Sequence, residues 1–148
     1  MTSDDETEVL PDKASTQDWV IKKCESLHRP CLIELCGPMG AGKTQLAQWI
    51  IEKLGGHFPS SPTFAIHQVY DSPGGPIDHL DLYRLRDMNE LLEIGFTDLL
   101  ENPSVLVIVE WADRLEEGIW PKTWQRVRFD IQPAAGSADA REINFQLN

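Results

Sequence analysis

The octapeptide at residues 37–44, GPMGAGKT, restricts the fold of this chain more than any other feature. It matches the phosphate-binding pattern GxxxxGK[ST] at every fixed position. The apolar run Cys31–Cys36 precedes it, as a buried strand would, and apolar residues at helical spacing follow from Lys43. Glycines let backbone N–H groups surround phosphate oxygens, and a helix N-terminus adds more of them. The motif therefore predicts an α/β domain that binds a nucleoside triphosphate.

Within this loop, two side chains have predicted roles of their own. Lys43 supplies a positive charge for the β- and γ-phosphates, and the Thr44 hydroxyl is the usual protein ligand for Mg²⁺. The expected cofactors are therefore ATP and Mg²⁺. The residues predicted to surround the nucleotide are Gly37, Pro38, Met39, Gly40, Ala41, Gly42, Lys43 and Thr44.

Two acids are candidates for holding the metal and orienting the attacking water. Glu110 directly follows the uniformly apolar run 105–109, so it emerges at the carboxyl end of a buried strand, where ligands of open α/β sheets bind. Asp81 ends a second predicted strand, and either acid could ligate Mg²⁺ beside Thr44. Strand alternation points Asp78 to the opposite face from Asp81, and we expect it to be a solvated surface charge.

Several other residues have two readings each. Thr63 lies in an SPT loop after the P-loop helix, where NTPases keep a γ-phosphate sensor, although a plain turn fits equally well. Trp111 either covers the nucleotide or packs in the core or against a partner. Arg84 and Arg114 are candidates for a charge at the transition state, but neither is an obvious arginine finger. The histidines show no metal-binding spacing, so core or surface roles are expected for His57, His67 and His79.

The rest of the chain predicts an α/β architecture of three layers with a mixed parallel and antiparallel sheet. Residues 1–13 are acidic and polar, so we expect a mobile tail there and one P-loop domain at 14–148. The first helix is predicted to be capped by Ser15, with Asp18 completing a capping box. Predicted helices span 16–27, 44–54 and 89–94; predicted strands span 31–36, 64–70, 77–81, 105–109, 126–131 and 142–147, with a turn at 71–75 and a hairpin loop at 133–141.

Charge and cysteine content narrow the function classes. The formal net charge is −11, and an acidic surface repels phosphate backbones, so direct nucleic-acid binding is not expected. The same charge also has a more specific interpretation, which is an acidic face that binds a basic protein partner. The 3 cysteines lack CxxC spacing, and the acidic N-terminus is unlike a signal peptide, which favours reduced thiols and a cytoplasmic location. No apolar run approaches the roughly 20 residues of a membrane helix, so no membrane association is expected.

Five motifs together resemble the TsaE (YjeE) family, the bacterial ATPases of tRNA threonylcarbamoyladenosine modification. They are GPMGAGKT, SPTF, HLDLYRL, LLEIGF and VIVEWADRL, in this order within about residues 33–115. A P-loop alone identifies no family, whereas HLDLYRL and VEW together with SPT are far more specific. Two departures occur: Pro38-Met39 stands where the family commonly has Asp-Leu, and Ala112 stands where it has Pro after the EW pair.

The resemblance implies both a function and residue roles. Family members have a P-loop α/β domain with a mixed sheet, bind ATP and Mg²⁺, and hydrolyse ATP weakly alone. They act on a TsaB–TsaD complex, whose TsaD subunit transfers the threonylcarbamoyl group to adenosine of tRNAs that read ANN codons, and hydrolysis is thought to reset that complex. By motif match, phosphate and Mg²⁺ roles fall on Lys43 and Thr44, the family's acids on Asp81 and Glu110, its SPT threonine on Thr63 and its EW tryptophan on Trp111.

Two other function classes share a P-loop. A small-molecule kinase needs a lid with arginines and a pocket for the acceptor, and the sequence shows no arginine cluster after the P-loop helix. A nucleotide-gated binding module would work through occupancy without hydrolysis. The sequence does not separate this second alternative from an ATPase.

Overall fold

The computed structural model describes residues 4–56, 66–115 and 118–148, which form a seven-stranded sheet with helices on both faces. The strands are β1 (Asp4–Leu10), β2 (Cys31–Cys36), β3 (His67–Tyr70), β4 (Ile77–Asp81), β5 (Leu106–Glu110), β6 (Gln125–Pro133) and β7 (Arg141–Leu147). The helices are α1 (Lys13–Lys23), α2 (Lys43–Lys53), α3 (Met88–Glu93) and α4 (Phe96–Glu101), and a 3₁₀ turn spans Ala112–Arg114. The predicted α/β class is confirmed.

The sheet is mixed, as predicted. Its strand order is β1-β7-β6-β2-β5-β4-β3. The four central strands run parallel, because β2 pairs with both β5 and β6 and β5 also pairs with β4. Antiparallel strands extend the sheet on both sides, through the β3–β4 and β6–β7 hairpins and the pairing of β1 with β7. The P-loop therefore leaves the carboxyl end of a central strand, between two parallel neighbours.

Two apolar layers enclose the central strands. Every residue of β2 and of β5 is buried, as expected for strands covered on both faces. One layer contains Ile33 and Ile50 and is covered by α1 and α2; the other contains Leu32 and Leu91 and is covered by α3 and α4.

The N-terminal segment corrects one prediction. The mobile tail expected at residues 1–13 is wrong for Asp4–Leu10, because these residues pair with β7 along its whole length. Leu10 is buried in the core, and Lys23 on α1 forms an ion pair with Glu6. The edge strand is therefore attached by backbone pairing, one apolar anchor and one ion pair.

The first helix begins three residues earlier than predicted. Asp12, and not Ser15, is its N-cap: the Asp12 carboxylate accepts a hydrogen bond from the Ser15 backbone N–H at 2.8 Å. This helix also ends at Lys23 and does not reach the predicted end at residue 27.

Helix α4 has no counterpart among the predicted elements. It follows α3 after Gly95, whose φ of +84° makes the turn that separates the two helices. The N-cap of α3 is Asp87, whose carboxylate accepts from the backbone N–H groups of Asn89 and Glu90. None of the described helices combines the length and the apolar character that crossing a membrane requires.

Candidate functional site

The loop between β2 and α2 has the backbone conformation that phosphate binding needs. Gly37, Gly40 and Gly42 have φ angles of +148°, +81° and +111°, which are unfavourable for residues with a Cβ. Gly42 is also the N-cap of α2 and offers no side-chain hydrogen bond to the first turn. An anion bound here would be the natural partner of the first N–H groups of the helix.

Lys43, the first residue of α2, folds back over its own loop. Its Nζ donates to the backbone oxygens of Gly37 at 2.7 Å and Pro38 at 2.9 Å. Burial lowers the pKa of the Lys43 ammonium, and the nearby carboxylates of Glu110 and Asp81 oppose this shift. The lysine is thus held at the loop, beside carboxylates that partly offset the effect of burial on its ammonium.

A chain of hydrogen bonds joins the P-loop helix to two strands. Thr44 Oγ1 donates to Glu110 Oε1 at 2.8 Å, and Glu110 Oε2 lies 2.7 Å from His79 Nε2. The side chains of Glu110 and His79 are 3% and 11% exposed. Both carboxylate oxygens of Glu110 are therefore engaged at a site with little access to water.

Asp81 lies beside Glu110 at the carboxyl end of the neighbouring strand. The parallel pairing of β4 with β5 sets Asp81 opposite Glu110. Its Oδ1 accepts from the Tyr83 backbone N–H at 3.2 Å, and its side chain is half-buried. The two acids that the sequence singled out therefore meet at one edge of the sheet.

Asp78 does not behave as predicted. It lies in the same strand as Asp81, three residues earlier, but it is not a solvated surface charge: it is buried, and its Oδ1 is 2.6 Å from His67 Nε2. The expectation failed because the hairpin partner strand carries a histidine that reaches the carboxylate.

Two adjoining cavities open around these residues. The first, of about 350 Å³, is lined by Met39, Gly40, Gly42, Lys43, Thr44, Asp81, Tyr83, Glu110 and Trp111. The second, of about 290 Å³, shares Thr44, Asp81 and Glu110 with it and adds Gln48, Ile66, Gln68, Tyr70 and His79. A larger cavity of about 450 Å³, lined in part by Trp120 and Trp124, includes none of these acids or P-loop residues. We take the first cavity as the candidate phosphate site because the motif residues converge there.

Trp111 lines the phosphate cavity directly after Glu110. Its ring centroid is 4.0 Å from Lys43 Nζ, and its φ of +61° is the only positive value for a non-glycine in the described residues. The Tyr83 ring lies 5.2 Å from the Trp111 ring, and Arg114 lies over the Tyr83 ring at 5.8 Å. An aromatic and cationic stack thus leads from the protein surface to the P-loop lysine. A strained backbone at such a position is typical of functional sites.

The structure brings eight of the predicted site residues together around one cavity: Met39, Gly40, Gly42, Lys43, Thr44, Asp81, Glu110 and Trp111. The other three predicted loop residues, Gly37, Pro38 and Ala41, do not line it. Thr63 lies outside the described residues. Neither Arg84 nor Arg114 lines the cavities described above. The sequence patterns did not indicate a role for His79 at this site, although it lies two residues before Asp81 and therefore shares its face of the strand.

Comparisons with known proteins agree with these observations. The family model described as "Threonylcarbamoyl adenosine biosynthesis protein TsaE" matches residues 10–143. The tRNA threonylcarbamoyladenosine biosynthesis protein TsaE of Haemophilus influenzae is 33% identical over 146 residues, which cover 94% of this chain and 87% of that protein. Its Bacillus subtilis namesake is 35% identical over 115 residues, covering 77% and 68%. The crystal structure of Bacillus subtilus YdiB superimposes with a TM-score of 0.67 at 26% identity, over 99% of this chain and 88% of the other.

Proposed function

This chain belongs to the TsaE family of tRNA threonylcarbamoyladenosine biosynthesis proteins, and we propose that it contributes ATP binding and hydrolysis to that pathway, acting on a TsaB–TsaD complex. The observation that carries this proposal is the 2.8 Å hydrogen bond from Thr44 Oγ1 to Glu110 Oε1. It joins a P-loop hydroxyl to a carboxylate at the end of an adjacent strand, which is the pairing that P-loop NTPases use around their metal ion.

The donor set at this position fits Mg²⁺. One hydroxyl and two carboxylates, from Thr44, Asp81 and Glu110, are oxygen ligands of the kind that Mg²⁺ prefers, and nucleotide phosphates and water would supply the remaining ligands. No group of three or more His, Cys, Asp and Glu residues in the described ranges could hold a metal by itself. A bound Mg²⁺ would neutralise charge on the β- and γ-phosphates.

Phosphate binding, orientation of the attacking water and exclusion of bulk water would each fall to different residues of this chain. The glycine-rich loop and Lys43 would hold the β- and γ-phosphates, and Glu110 or Asp81 would orient the attacking water. Trp111 would cover the phosphates from the side of Lys43 and limit access of bulk water.

A further cavity offers a place for the nucleoside. It has about 190 Å³ and adjoins the phosphate cavity at Gly42, with an apolar wall that includes Leu46 and Trp49 and a polar rim that includes Lys13 and Asp139. A nucleotide whose phosphates lie in the P-loop would extend its ribose and base in this direction.

Charge at the site favours partner-assisted hydrolysis. Lys43 is the only cation among the described residues that line the two cavities at the acids. An additional cation, such as an arginine finger, raises the rate of phosphoryl transfer by roughly 10³–10⁵. We propose that the TsaB–TsaD complex completes the site, and that the chain alone hydrolyses ATP slowly.

The three cysteines are free and buried, which suits the cytoplasmic location that we propose for this function.

Phosphate release by the full chain, with and without TsaB–TsaD, tests the proposal. Lys43→Ala and Glu110→Ala should each abolish most of the release, whereas matched changes on the exposed end of the same helix, Lys53→Ala and Glu52→Ala, should not. Full activity in both site variants would rule out this site.

Reconstituted tRNA modification separates hydrolysis from occupancy. If the site works through hydrolysis, both Lys43→Ala and Glu110→Ala stop repeated turnover of the modification. Normal turnover with Glu110→Ala, combined with loss in Lys43→Ala, would show that nucleotide binding alone is sufficient.

A further inference from the structure

A second hydrogen bond holds the carboxylate that pairs with Thr44. His79 Nε2 lies 2.7 Å from Glu110 Oε2, while the other oxygen of the same carboxylate accepts from Thr44. An ionised carboxylate can only accept, so here the imidazole Nε2–H donates. Nothing in the proposed roles of Lys43, Thr44, Asp81 and Glu110 uses this histidine.

We infer that His79 is a positioning residue, which holds the Glu110 carboxylate in the orientation that presents one oxygen to Thr44. The inference deepens the proposed function and rests on it for its catalytic consequence. The inference concerns the orientation of the Glu110 carboxylate, because His79 itself lines only the cavity beside the phosphate site.

The strand register explains why this histidine can do so. In the parallel pair β4 and β5, His79 lies opposite Ile108, and Asp81 lies opposite Glu110. The histidine therefore reaches two residue pairs further along the sheet, on the same face as Asp81, to meet the carboxylate from the strand side. Thr44 meets the same carboxylate from the helix side, so Glu110 is held between two elements.

Burial makes the second hydrogen bond consequential. The Glu110 side chain is 3% exposed, so the protein supplies most of the surroundings of this carboxylate and a lost donor removes a large part of its solvation. A buried carboxylate oxygen without a partner is costly, and rotation of the group toward another donor would be the expected response. Lys43 is the nearby cation that such a rotated carboxylate would approach, since its charge already interacts with Glu110. That rotation would take the carboxylate away from Thr44.

The same hairpin contains a matched control. His67 on β3 lies 2.6 Å from the Asp78 carboxylate, with side chains 17% and 10% exposed. This pair has the same chemistry and similar burial, but neither residue lines the two cavities at the acids. Removing it should cost stability without redirecting Glu110.

The experiment compares His79→Leu, His79→Gln and His67→Leu in the full chain with TsaB–TsaD and Mg²⁺-ATP. His79→Leu should lower kcat by about 10- to 100-fold, the usual cost of losing a group that orients a metal-site ligand, with KM changed far less. His79→Gln keeps an N–H donor and should recover part of kcat. His67→Leu should keep kcat near the wild-type value, while thermal unfolding reports its loss of stability.

A crystal structure of His79→Leu gives a readout that does not depend on hydrolysis. The inference expects Glu110 Oε1 to leave hydrogen-bonding distance of Thr44 Oγ1. It is overturned if that contact stays near 2.8 Å, or if His79→Leu and His67→Leu reduce kcat equally. Absence of hydrolysis in the wild-type chain with its partners would instead overturn the proposed function, and the crystal structure would still decide the role of His79.

Discussion

Alanine at Gly37 should destabilise the fold much more than alanine at Gly40, although both glycines belong to the same loop. A Cβ at Gly37 would lie 2.3 Å from the backbone oxygen of Ile131 and 3.3 Å from its carbon. A Cβ at Gly40 would have no atom within 4 Å. Both positions have positive φ angles, which strain an alanine, and only Gly37 adds a steric contact to that strain.

The size of the difference follows from that contact. Alanine at a positive φ costs about 1–2 kcal/mol at either position, and the smaller entropy of the unfolded alanine chain offsets both equally. The Ile131 oxygen belongs to β6, which is paired on both sides with β2 and β7, so it can move only if strands shift. Overpacking of this kind adds about 1–3 kcal/mol. At about 2–4 °C per kcal/mol for a chain of this size, Gly37→Ala should unfold roughly 2–12 °C below Gly40→Ala.

Thermal unfolding followed by circular dichroism measures this difference. Gly136→Ala is a control outside the loop, since Gly136 also has a positive φ and open space around its Cβ. Isothermal titration with Mg²⁺-ADP should show weakened binding in Gly40→Ala, and unchanged binding in Gly136→Ala, although both variants carry a similar positive-φ cost in stability. If Gly37→Ala unfolds at or above the temperature of Gly40→Ala, the close approach of the loop to β6 is not as described.

Three further outcomes test the packing. Phe129→Ala should lower the free energy of unfolding by about 3–5 kcal/mol in urea titration, because Phe129 is fully buried. Asp87→Ala should cost about 1 kcal/mol in the same titration, because the cap of α3 is lost. At pH 8 a disulfide reagent should label the native thiols far more slowly than the three of the unfolded chain, since burial raises the pKa of Cys24 and Cys31 to about 12 and of Cys36 to about 11.

The centre of the fold could be predicted because its signals are local. The bounds of β2 were predicted correctly, and those of α2 and β5 to within one residue. The two strands are runs of apolar residues ended by glycine or by a charged residue, and α2 has apolar residues at helical spacing ended by glycine. The two hairpins followed from their glycine- and proline-rich turns. In contrast, β1 depends on contact between the two ends of the chain: its sequence is DDETEVL, and only Leu10 among its described side chains is buried. An edge strand of this kind has no apolar alternation to reveal it.

The candidate site, like the fold, has residues that could be predicted from local sequence signals and residues that could not. Positions defined by a motif or by the end of a buried strand, such as Lys43 and Glu110, could be placed from the sequence. His79 and Asp78 could not, because their roles come from cross-strand partners that only the register supplies. For His79 a weaker signal existed. Strand alternation places it on the same face as Asp81, and therefore near the site to which Asp81 belongs.

The proposed dependence of hydrolysis on a partner rests on the distribution of charge at the site. Beside one lysine, the phosphate cavity presents two carboxylates, and the whole chain carries a formal net charge of −11. With two carboxylates against one lysine, the side chains of the site do not supply a surplus of positive charge. Loop N–H groups and Mg²⁺ could bind a nucleotide in its ground state. Among the described lining residues, however, no further cation would stabilise the charge that develops during phosphoryl transfer. A basic partner surface would be attracted by the acidic exterior and would bring the missing charge to the cavity, so binding of the partner and acceleration of hydrolysis would have one electrostatic cause.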